Sequence, residues 1–508
     1  MASFNKWYPA AEDQIVPWNA RFTYPGQALP AVKTTPRIAP KNGSNFRSGN
    51  VIRLEFPAQG YVNPRNTTLA FDVYLTGYGT AGSQLLRFQN NIQSIFSRVR
   101  LMYGSTPLED IINYNVITRN LTEWTANSNN SGVDGNILTD GIGQTQLFLE
   151  TNGVTSLIAT TQSQNARQVS HGIAVADYLP LQTTNSTGAT SSAKRYTVQL
   201  NLGLFNQDKL IPVKFMASQL AIELTLANSE SCIFVQTAGS GSSPYFEVQN
   251  VTLLPEILEF DSAYDAMFLK GLKEGGVPIK FSSWHTFQFN LAATTSANVQ
   301  IQERSRSVRS IYTVQRISPE LLTNDSGATL YSSNVTSSNT LQQYQYRIGG
   351  RYYPASPVQC ALVTGGSQSN GAAEAYVELQ KALHTLGDFR LSNSLSYTRW
   401  GYPYATDVLN ASRDGAFIPQ QALSGLIAGN ATASKNGQGI SSQAFCMAIN
   451  LDTTDGGEIC GINAEEQSDI ILQAQWSHAQ TSGYVLESYV YFDAMLIIRE
   501  NNVVELIQ

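Results

Sequence analysis

The chain has 508 residues, more than one hydrophobic core usually organises, so its length predicts two domains. Charged residues make up only 14% of it, against roughly a quarter in typical soluble domains. The net charge of −6 excludes a generally basic nucleic-acid-binding protein but not a local basic patch. An uncharged polar surface suits contacts between copies of the chain, because little charge is desolvated there, and is equally compatible with an extracellular binding protein.

The first segment, residues 1–47, is predicted to be an extended arm. Its six prolines disfavour a helix, and its cations outnumber the acidic residues Glu12 and Asp13. These cations are Lys6, Arg21, Lys33, Arg37, Lys41 and Arg47. Composition alone favours a solvated tail, whereas an ordered arm would lie against its own domains or a neighbouring subunit.

The N-terminus MASFNKWYPA lacks the apolar core of a signal peptide, and no stretch approaches the roughly 20 apolar residues of a membrane span. We therefore predict a chain that is not secreted, has no transmembrane segment and folds in the cytosol or nucleus. The four cysteines are too few for a disulfide framework and form no C-x-x-C pair. They are predicted to be buried reduced thiols.

Alternation of apolar and polar residues predicts β-strands in the first half, most clearly at Tyr196–Leu204 and Leu220–Leu226. Further strands are predicted at Val51–Phe56, Thr68–Leu75, Val99–Tyr103 and Val248–Phe260. In the second half the predicted strands are Lys280–Leu291, Val308–Gln315 and Tyr484–Arg499. One buried and one wet face per strand is typical of an antiparallel sheet in a sandwich.

Three helices are predicted. The first follows Pro107 and carries an apolar stripe with three- and four-residue spacing: Leu108, Ile111, Ile112, Val116, Ile117, Leu121 and Trp124. The second stripe, ended by Gly387, is Ala372, Tyr376, Leu379, Leu383 and Leu386. The third helix, Ala263–Leu272, starts behind the capping pair Asp261–Ser262 and stops at Gly275–Gly276, and we interpret residues 263–276 as a linker helix.

The second half repeats the pattern of the first in alternation and element order. Five pairs of segments correspond: 68–73 with 286–291, 98–103 with 307–312, 114–124 with 376–386, 196–202 with 445–451, and 218–226 with 468–476. Both halves place a long Ser-, Thr-, Asn- and Gly-rich loop after their helix, at 126–192 and 392–442, and loops of that length are usually functional or form interfaces. An extra stretch at 317–345 has no counterpart in this alignment.

The predicted fold class is all-β: two tandem eight-stranded jelly rolls with a few short helices and long loops. The predicted boundaries are residues 1–47 for the arm, 48–262 for the first jelly roll, 263–276 for the linker helix and 277–508 for the second jelly roll. An immunoglobulin-like sandwich fits less well, because each unit is about twice the usual 100 residues.

The chain resembles double jelly-roll major capsid proteins. The segment Lys209–Leu220 resembles the link before the penultimate strand of their first roll, and Phe260–Tyr264, Phe268–Leu272 and Val277–Trp284 resemble the crossover into their second roll. Tyr346–Pro354 is similar to capsid proteins of small double-stranded DNA viruses of protists and algae, namely virophages, Polinton-like viruses and adintovirus-like elements. The resemblance covers roughly residues 45–505.

This resemblance implies a major capsid protein that trimerises into pseudo-hexameric capsomers and self-assembles into an icosahedral virion shell. It implies that the chain's main partner is itself, with penton and minor capsid proteins besides, and that assembly occurs in the host cytoplasm or nucleus. The long loops would form the outer crown, and the basic arm 1–47 would contact DNA or membrane on the inner side through residues such as Lys33, Arg37 and Lys41.

The sequence contains no nucleophile elbow, phosphate-binding loop or zinc-protease motif. We therefore predict no catalytic, cofactor-binding or metal site, no cofactor and no small-molecule substrate. Gly239–Ser243 is interpreted as a hairpin loop and Asp452–Glu458 as a weak match to a calcium loop. His285 and His478, each near a Trp, are interpreted as packed or surface residues. Two alternatives remain: a tandem β-sandwich carbohydrate-binding protein, and a β-sandwich hydrolase whose paired carboxylates leave no spacing signature.

Overall fold

The computed structural model shows two β-sandwiches joined by a helix. It describes residues 31–76, 86–88, 92–125, 148–151, 154–157, 194–235, 245–317, 341–360, 362–364, 367–369, 373–386, 445–453, 459–465, 469–476, 479, 484–499 and 503–508. The predicted loop 392–442 and the segment 1–30 lie outside these residues, as do most of 126–192 and 317–345.

The described residues of the first sandwich form thirteen strands, several of them short. They are β1 Ala31–Thr34, β2 Asn45–Arg47, β3 Val51–Glu55, β4 Tyr61–Thr76, β5 Leu86–Phe88, β6 Phe96–Tyr103, β7 Thr106–Ile112, β8 Phe148–Thr151, β9 Val154–Leu157, β10 Lys194–Val198, β11 Leu220–Leu226, β12 Ile233–Val235 and β13 Tyr245–Phe260. Its helices are α1 Tyr114–Thr125 and the short α2 Ser229–Cys232, with 3-10 turns at Ile92–Ile95, Gly203–Phe205 and Val213–Phe215.

Helix α3, Ser262–Lys273, leads into the second sandwich. Its strands are β14 Val277–Asn290, β15 Ser296–Ile301, β16 Val308–Ile317, β17 Leu341–Ile348, β18 Arg351–Gln359, β19 Leu362–Thr364, β20 Ser367–Ser369, β21 Met447–Asn450, β22 Ile470–Trp476, β23 Tyr484–Ile498 and β24 Val504–Ile507. Helix α4, Ala373–Ala382, belongs to the described part of the second sandwich.

Each sandwich consists of two main antiparallel sheets with matching strand order. In the first, sheet 1A runs β1-β13-β4-β10, with β2 also on β13, and sheet 1B runs β3-β11-β6-β7. In the second, sheet 2A runs β14-β23-β16-β21, with β24 on β23, and sheet 2B runs β15-β22-β17-β18. Strands at corresponding positions of the sheets also come in the same order along the chain in both sandwiches. The prediction of two eight-stranded jelly rolls is confirmed, with β1 and β2 acting as one interrupted strand.

This topology corrects two of the five predicted pairs of segments. Residues 68–73 lie in β4, whose counterpart is β16, whereas 286–291 lie in or directly after β14, which occupies the place of β1 and β2. Residues 98–103 lie in β6, whose counterpart is β17 rather than β16. The first error is a shift of two strands and the second a shift of one, because alternating strands look alike and period-two patterning does not specify which strand is which. The other three pairs agree with the topology.

The shifted alignment also produced the apparent extra stretch at 317–345. The connection from β16 to β17 corresponds to the connection from β4 to β6, residues 77–95, so both halves have this connection. Residues 341–345 themselves belong to β17.

The arm prediction needs a similar revision, because β1 and β2 both pair with β13. Residues 31–47 therefore complete sheet 1A.

Helix boundaries differ from the predicted stripes. Thr106–Ile112 is strand β7, and α1 begins only at Tyr114. The helix prediction was wrong here because Leu108 and Ile111 have a helix-like spacing of three residues but lie buried in an edge strand. The adjacent Glu109 is buried in that strand as well. Helix α4 ends at Ala382, before the predicted Gly387. The ladder of β10 stops at Val198 and a 3-10 turn follows at Gly203–Phe205, so Tyr196–Leu204 is only partly a strand.

Apolar side chains of both sandwiches form one connected buried cluster. In β11 the four predicted inward residues Leu220, Ile222, Leu224 and Leu226 are all at most 2% exposed. Buried tyrosines of β17 satisfy their hydroxyls across the core, since Tyr344 donates to the Ala448 carbonyl at 2.9 Å. All four cysteines are free and buried, as predicted. Burial raises the pKa of the Cys232 thiol well above its usual range.

Candidate functional site: the joint between the two sandwiches

The first sandwich contacts the second through strand β7, helix α1 and the turn Gly203–Phe205. These elements lie against sheet 2A, mainly against β14 at its edge. We call this contact the joint. No predicted site residue lies in it, so the joint was missed at the sequence level, although its members include two carboxylates within apolar strands, Glu109 and Glu487. A charged residue within an apolar strand is the sequence signal that could have identified Glu109 and Glu487.

Glu109 is the polar centre of the joint and is 3% exposed. Its Oε2 accepts hydrogen bonds from the Gly203 amide and the Ser283 hydroxyl, both at 2.7 Å, and its Oε1 accepts from the Leu204 amide at 2.8 Å. Burial raises the pKa of Glu109, although these three donors oppose the shift. Groups from both sandwiches therefore converge on one buried carboxylate, which fixes their separation and orientation.

Gly203 brings the two backbones into direct contact. A β-carbon at this position would lie 1.9 Å from the carbonyl oxygen of Ser282 in β14. Only a residue without a side chain permits such an approach. Gly203 therefore sets how closely the first sandwich can approach sheet 2A.

A second polar group joins the sandwiches beside α1. Asn113, which has a left-handed φ of 52°, donates its side-chain amide to the Glu487 carboxylate of β23. The other oxygen of Glu487 accepts from Arg316 Nε at 2.5 Å, and both charged residues are at most 2% exposed. The Thr286 hydroxyl donates to the Ile112 carbonyl at 2.9 Å. A buried ion pair needs additional hydrogen bonds to offset desolvation, and the first sandwich supplies one of them.

Aromatic packing closes the joint at the end of α1. Trp124 is fully buried and stacks on Tyr312 of β16 with ring centroids 5.5 Å apart and planes 17° apart. Tyr312 also contacts Trp284 of β14 and donates its hydroxyl to the Ala382 carbonyl at 2.7 Å. The ends of α1 and α4 therefore meet at Tyr312. This aromatic contact adds apolar packing to the polar contacts around Glu109 and Glu487.

Helix α3 is docked on the first sandwich. The Tyr61 hydroxyl donates to Asp265 Oδ1 of α3 at 3.0 Å, and Asp265 also pairs with Lys214. The Tyr61 ring packs edge-on against Phe268 at 5.6 Å. Asp261 caps the helix by accepting from the Ser262 amide at 2.6 Å, which agrees with the predicted start of the helix. The two sandwiches are thus fixed both through the joint and through their connecting helix.

No protein-family model and no curated protein matches the sequence. Solved structures match it along nearly its whole length. The major capsid protein of Faustovirus is 9% identical, with a TM-score of 0.54 over 96% of this chain and 94% of that chain. A chain of the Sputnik virophage structure determined by cryo-EM is 12% identical, with a TM-score of 0.50 over 98% of this chain and 92% of that chain.

This chain has the double jelly-roll fold of viral major capsid proteins. At identities near 10% the likeness is one of fold, so the roles of individual residues rest on the contacts within this double jelly roll itself.

The residues singled out for chemistry have structural partners. His285 Nδ1 lies 2.9 Å from Glu303 Oε2, and its ring packs on Phe492. Burial raises the pKa of Glu303. The contact with His285 and the hydrogen bonds from Ser305 lower this pKa by a larger amount, so that it ends below its usual range. These partners are consistent with the predicted packed histidine. His478 lies outside the described residues.

The weak calcium match at Asp452–Glu458 is described only for its first two residues. The Asp452 carboxylate lies 3.0 Å from Arg309 Nη2 and 3.0 Å from His384 Nε2, so a guanidinium and an imidazole already contact it. Within the described ranges, no group of three or more His, Cys, Asp or Glu residues could hold a metal ion. Gly239–Ser243 lies outside those ranges, and no helix within them is long and apolar enough to cross a membrane.

Three of the four cations in residues 31–47 form ion pairs with the first sandwich. Lys33 pairs with Glu256 at 2.5 Å, Lys41 with Glu55 at 3.7 Å, and Arg47 with Glu247. Much of the positive charge that the sequence assigns to an inner-surface contact is therefore balanced within the chain.

Proposed function

We propose that this double jelly roll is a major capsid protein, a structural subunit that trimerises into pseudo-hexameric capsomers and assembles into an icosahedral shell. The observation that carries the proposal is the joint. It holds two like sandwiches side by side through buried contacts, so that three chains would present six similar units. A tile with a near-sixfold outline can cover a closed lattice with one gene product.

The proposal makes the chain its own main partner, first in a trimer and then in the virion shell, with penton and minor capsid proteins completing the particle. It includes no enzymatic activity. The loops 126–192, 317–345 and 392–442 would form the outer crown, and assembly would take place in the host cytoplasm or nucleus.

Contact of the arm with DNA or membrane is the weaker part of this proposal, because Lys33, Lys41 and Arg47 already have acidic partners. Of the three residues proposed for that contact, Arg37 is exposed and has no ion pair among the described residues. Neutralising Lys33, Arg37 and Lys41 together tests this contact, and unchanged assembly and genome content would remove its support.

Native mass measurement tests the main proposal. The purified chain should form a species of three times 55.5 kDa that grows into larger particles as concentration or ionic conditions change. A chain that stays at 55.5 kDa under all conditions would contradict the capsid function.

One feature favours the carbohydrate-binding alternative. A shallow groove of about 210 Å³ crosses sheet 2B and is lined by amide side chains, which suit the hydroxyls of a sugar: Asn298, Gln343, Gln345, Gln473 and Gln475. Two of these amides already bond each other, since Gln343 Nε2 donates to Gln475 Oε1 at 2.8 Å. The only aromatic residue in the lining, Tyr344, is buried, so no exposed ring there offers a sugar a stacking face. Binding of glycans by a stable monomer would promote this alternative.

A further inference from the structure

We propose that the outer face of sheet 2B binds a carboxylated sugar, the kind of unit found in sialylated and uronic-acid-containing glycans. The face offers amides for the sugar hydroxyls, one arginine for the carboxylate and one exposed tyrosine for the ring. This binding site would be a second property of the capsid subunit and would belong to the single chain, because it does not require assembly into a shell.

The outer faces of sheets 1B and 2B correspond residue by residue. Each sheet contains a hairpin with a two-residue turn, in which Tyr103 lies opposite Thr106 and Ile348 lies opposite Arg351. Aligning these hairpins, together with the strands that pair with them, matches charged residues of sheet 1B to amides of sheet 2B. Arg53, Glu55, Arg98, Arg100 and Glu223 correspond in this order to Asn298, Gln300, Gln343, Gln345 and Gln473.

The charged residues on the outer face of sheet 1B neutralise one another. Arg53 lies 2.9 Å from the Glu223 carboxylate, and Arg100 lies 2.6 Å from the same carboxylate. Arg98 pairs with Asp110 on the neighbouring strand β7. The arginines on this face therefore have carboxylate partners within the chain and need none from a ligand.

The outer face of sheet 2B keeps hydrogen-bonding groups at these positions but loses the charge. Gln359 donates to Gln343 at 3.1 Å, and Gln343 donates to Gln475 at 2.8 Å. The amides of Gln473 and Asn298 have no hydrogen-bond partner among the described residues, and both line the shallow groove of about 210 Å³. Each amide has both donors and an acceptor, which match the hydroxyl groups of a sugar.

Arg347 is a charged residue on this otherwise neutral face. It lies on β17 two residues beyond Gln345, about 7 Å along the strand, at the position that Met102 occupies in sheet 1B. Arg347 is half-buried and, unlike the arginines of sheet 1B, has no ion pair among the described residues. A guanidinium binds a carboxylate through two parallel hydrogen bonds, so an unpaired arginine beside a neutral polar groove favours a ligand with a carboxylate.

Tyr352 supplies the exposed ring that the groove lining lacks. It lies opposite Arg347 on β18 and is 46% exposed, whereas the equivalent residue of β7 is Pro107. A ring, a guanidinium and amides side by side give one apolar, one ionic and several neutral polar contacts. A few polar groups that converge beside an apolar surface are typical of a small-ligand site.

Two other ligands fit this face less well. An extended peptide usually adds as a strand at a sheet edge, and the nearest edge strand, β18, contains Pro354 and Pro357, which cannot donate ladder hydrogen bonds. A nucleic acid is held mainly by several cations that contact phosphates, whereas among the described residues of this face Arg347 is the one cation. Neutral hydroxyls with a single carboxylate match the face best.

Arg347→Gln tests the site, with Arg351→Gln as its matched control. Arg351 is exposed and also has no ion pair among the described residues, but it lies opposite the buried Ile348 and so off the outer face. Saturation-transfer NMR of the full chain measures the Kd for sialyllactose, a trimer of galacturonic acid and neutral lactose. At least one carboxylated probe should bind more tightly than lactose, and comparison of the two distinguishes sialic from uronic acids. Arg347→Gln should weaken that binding at least about tenfold, and Arg351→Gln less than about twofold.

A second variant tests the amides separately from the charge. Gln473→Leu removes a donor and an acceptor at the centre of the face and should weaken binding of the carboxylated probe about fivefold. Because Arg347 remains, binding by this variant should still weaken as salt is added, whereas Arg347→Gln should lose that salt dependence. A Gln473→Leu variant that binds like the wild type would contradict the role given to the amides.

The outcomes separate this inference from the capsid proposal. If neither carboxylated probe binds more tightly than lactose, or if Arg347→Gln and Arg351→Gln weaken binding equally, the inference is overturned and the capsid proposal stands. If Arg347→Gln alters assembly while the wild type binds no sugar, the face is a contact between copies of the chain, which also overturns the inference. A chain that binds the carboxylated probe but never leaves 55.5 kDa overturns the capsid proposal alone.

Discussion

The outer faces of sheets 1A and 2A occupy the same position in the two jelly rolls but differ in character. The face of sheet 2A is covered by the first sandwich and carries buried groups such as Tyr312, Tyr489 and Glu487, each at most 2% exposed. The face of sheet 1A is open in the single chain and carries ion pairs such as Lys33–Glu256, with the lysine side chain 59% exposed. The residues on each face therefore depend on what covers it rather than on the place of its strands in the fold.

The largest expected effect separates the buried end of α1 from the exposed turn after α4. Trp124→Ala removes a buried ring from the joint and should lower the free energy of unfolding by about 4 kcal/mol. Leu386→Ala, at the equivalent exposed position, should change it by less than about 0.5 kcal/mol when the chain is kept dilute and monomeric. Urea unfolding measures both, and equal costs for the two substitutions would contradict the comparison.

The next effect concerns the close approach of the two backbones. Gly203→Ala places a methyl group against the Ser282 carbonyl, and we expect a loss of about 3 kcal/mol as the joint opens. Gly271→Ala on α3 is the control, since its nearest neighbour would be Val277 Cγ2 at 3.9 Å. That substitution should be neutral or stabilise the helix by up to about 1 kcal/mol. Similar losses at both glycines would show that Gly203 has no special role in the joint.

A smaller effect is expected at the buried carboxylate. Glu109→Gln replaces one acceptor oxygen with an NH₂ group that cannot accept from the Leu204 or Gly203 amide, at a cost of about 2 kcal/mol. Glu259→Gln, at an exposed position of β13, should cost less than about 0.5 kcal/mol. Thermal unfolding of both variants at neutral pH measures the difference, and a Glu109→Gln variant as stable as the control would contradict the role of Glu109.

The smallest effect lies on the open face. Lys33→Met removes a partner of Glu256 and should cost about 0.5 kcal/mol near pH 7, because the lysine is largely exposed. Burial raises the pKa of Glu256. Hydrogen bonds from Lys33, Asn63 and Asn66 lower this pKa by a larger amount, so that it ends below its usual range.

The sign of the pH dependence follows from that direction. A carboxylate whose pKa is lowered in the folded state stabilises the fold above its unfolded pKa of about 4.3, and this contribution is lost as the pH falls through the folded pKa. Wild type and Lys33→Met should therefore differ at neutral pH and converge in acid. A difference that persists after Glu256 is protonated would mean that the ion pair is not its cause.

The overall fold could be predicted from the sequence, because strands with one buried face impose a period-two pattern, which is clear in strands such as β3, β11 and much of β13. Order within the repeat was harder. The sequence pattern pairs segment 68–73 with a strand two places too early in the second half and segment 98–103 with a strand one place too early. One alternating strand fits another, and only the pairing partners distinguish β14 from β16. Strand β7 was assigned to a helix because it is short and is followed at once by α1.

The joint could not be predicted, because its contacts depend on how two separately patterned units meet. Ser283 and Glu109 are 174 positions apart in the chain, and no local spacing relates them. In the sequence Gly203 looks like an ordinary loop glycine, whereas in the structure the Ser282 carbonyl lies where a β-carbon would be. The charge pattern predicts an external partner for Lys33, whereas its acidic partner Glu256 lies on β13, far along the chain.

The most direct test of the account is a cryo-EM reconstruction of the assembled wild-type chain. The account predicts a particle with threefold symmetry in which six similar sandwiches surround the axis. Monomeric chains, or assemblies in which the two sandwiches of a chain are not neighbours in a six-membered ring, would contradict it.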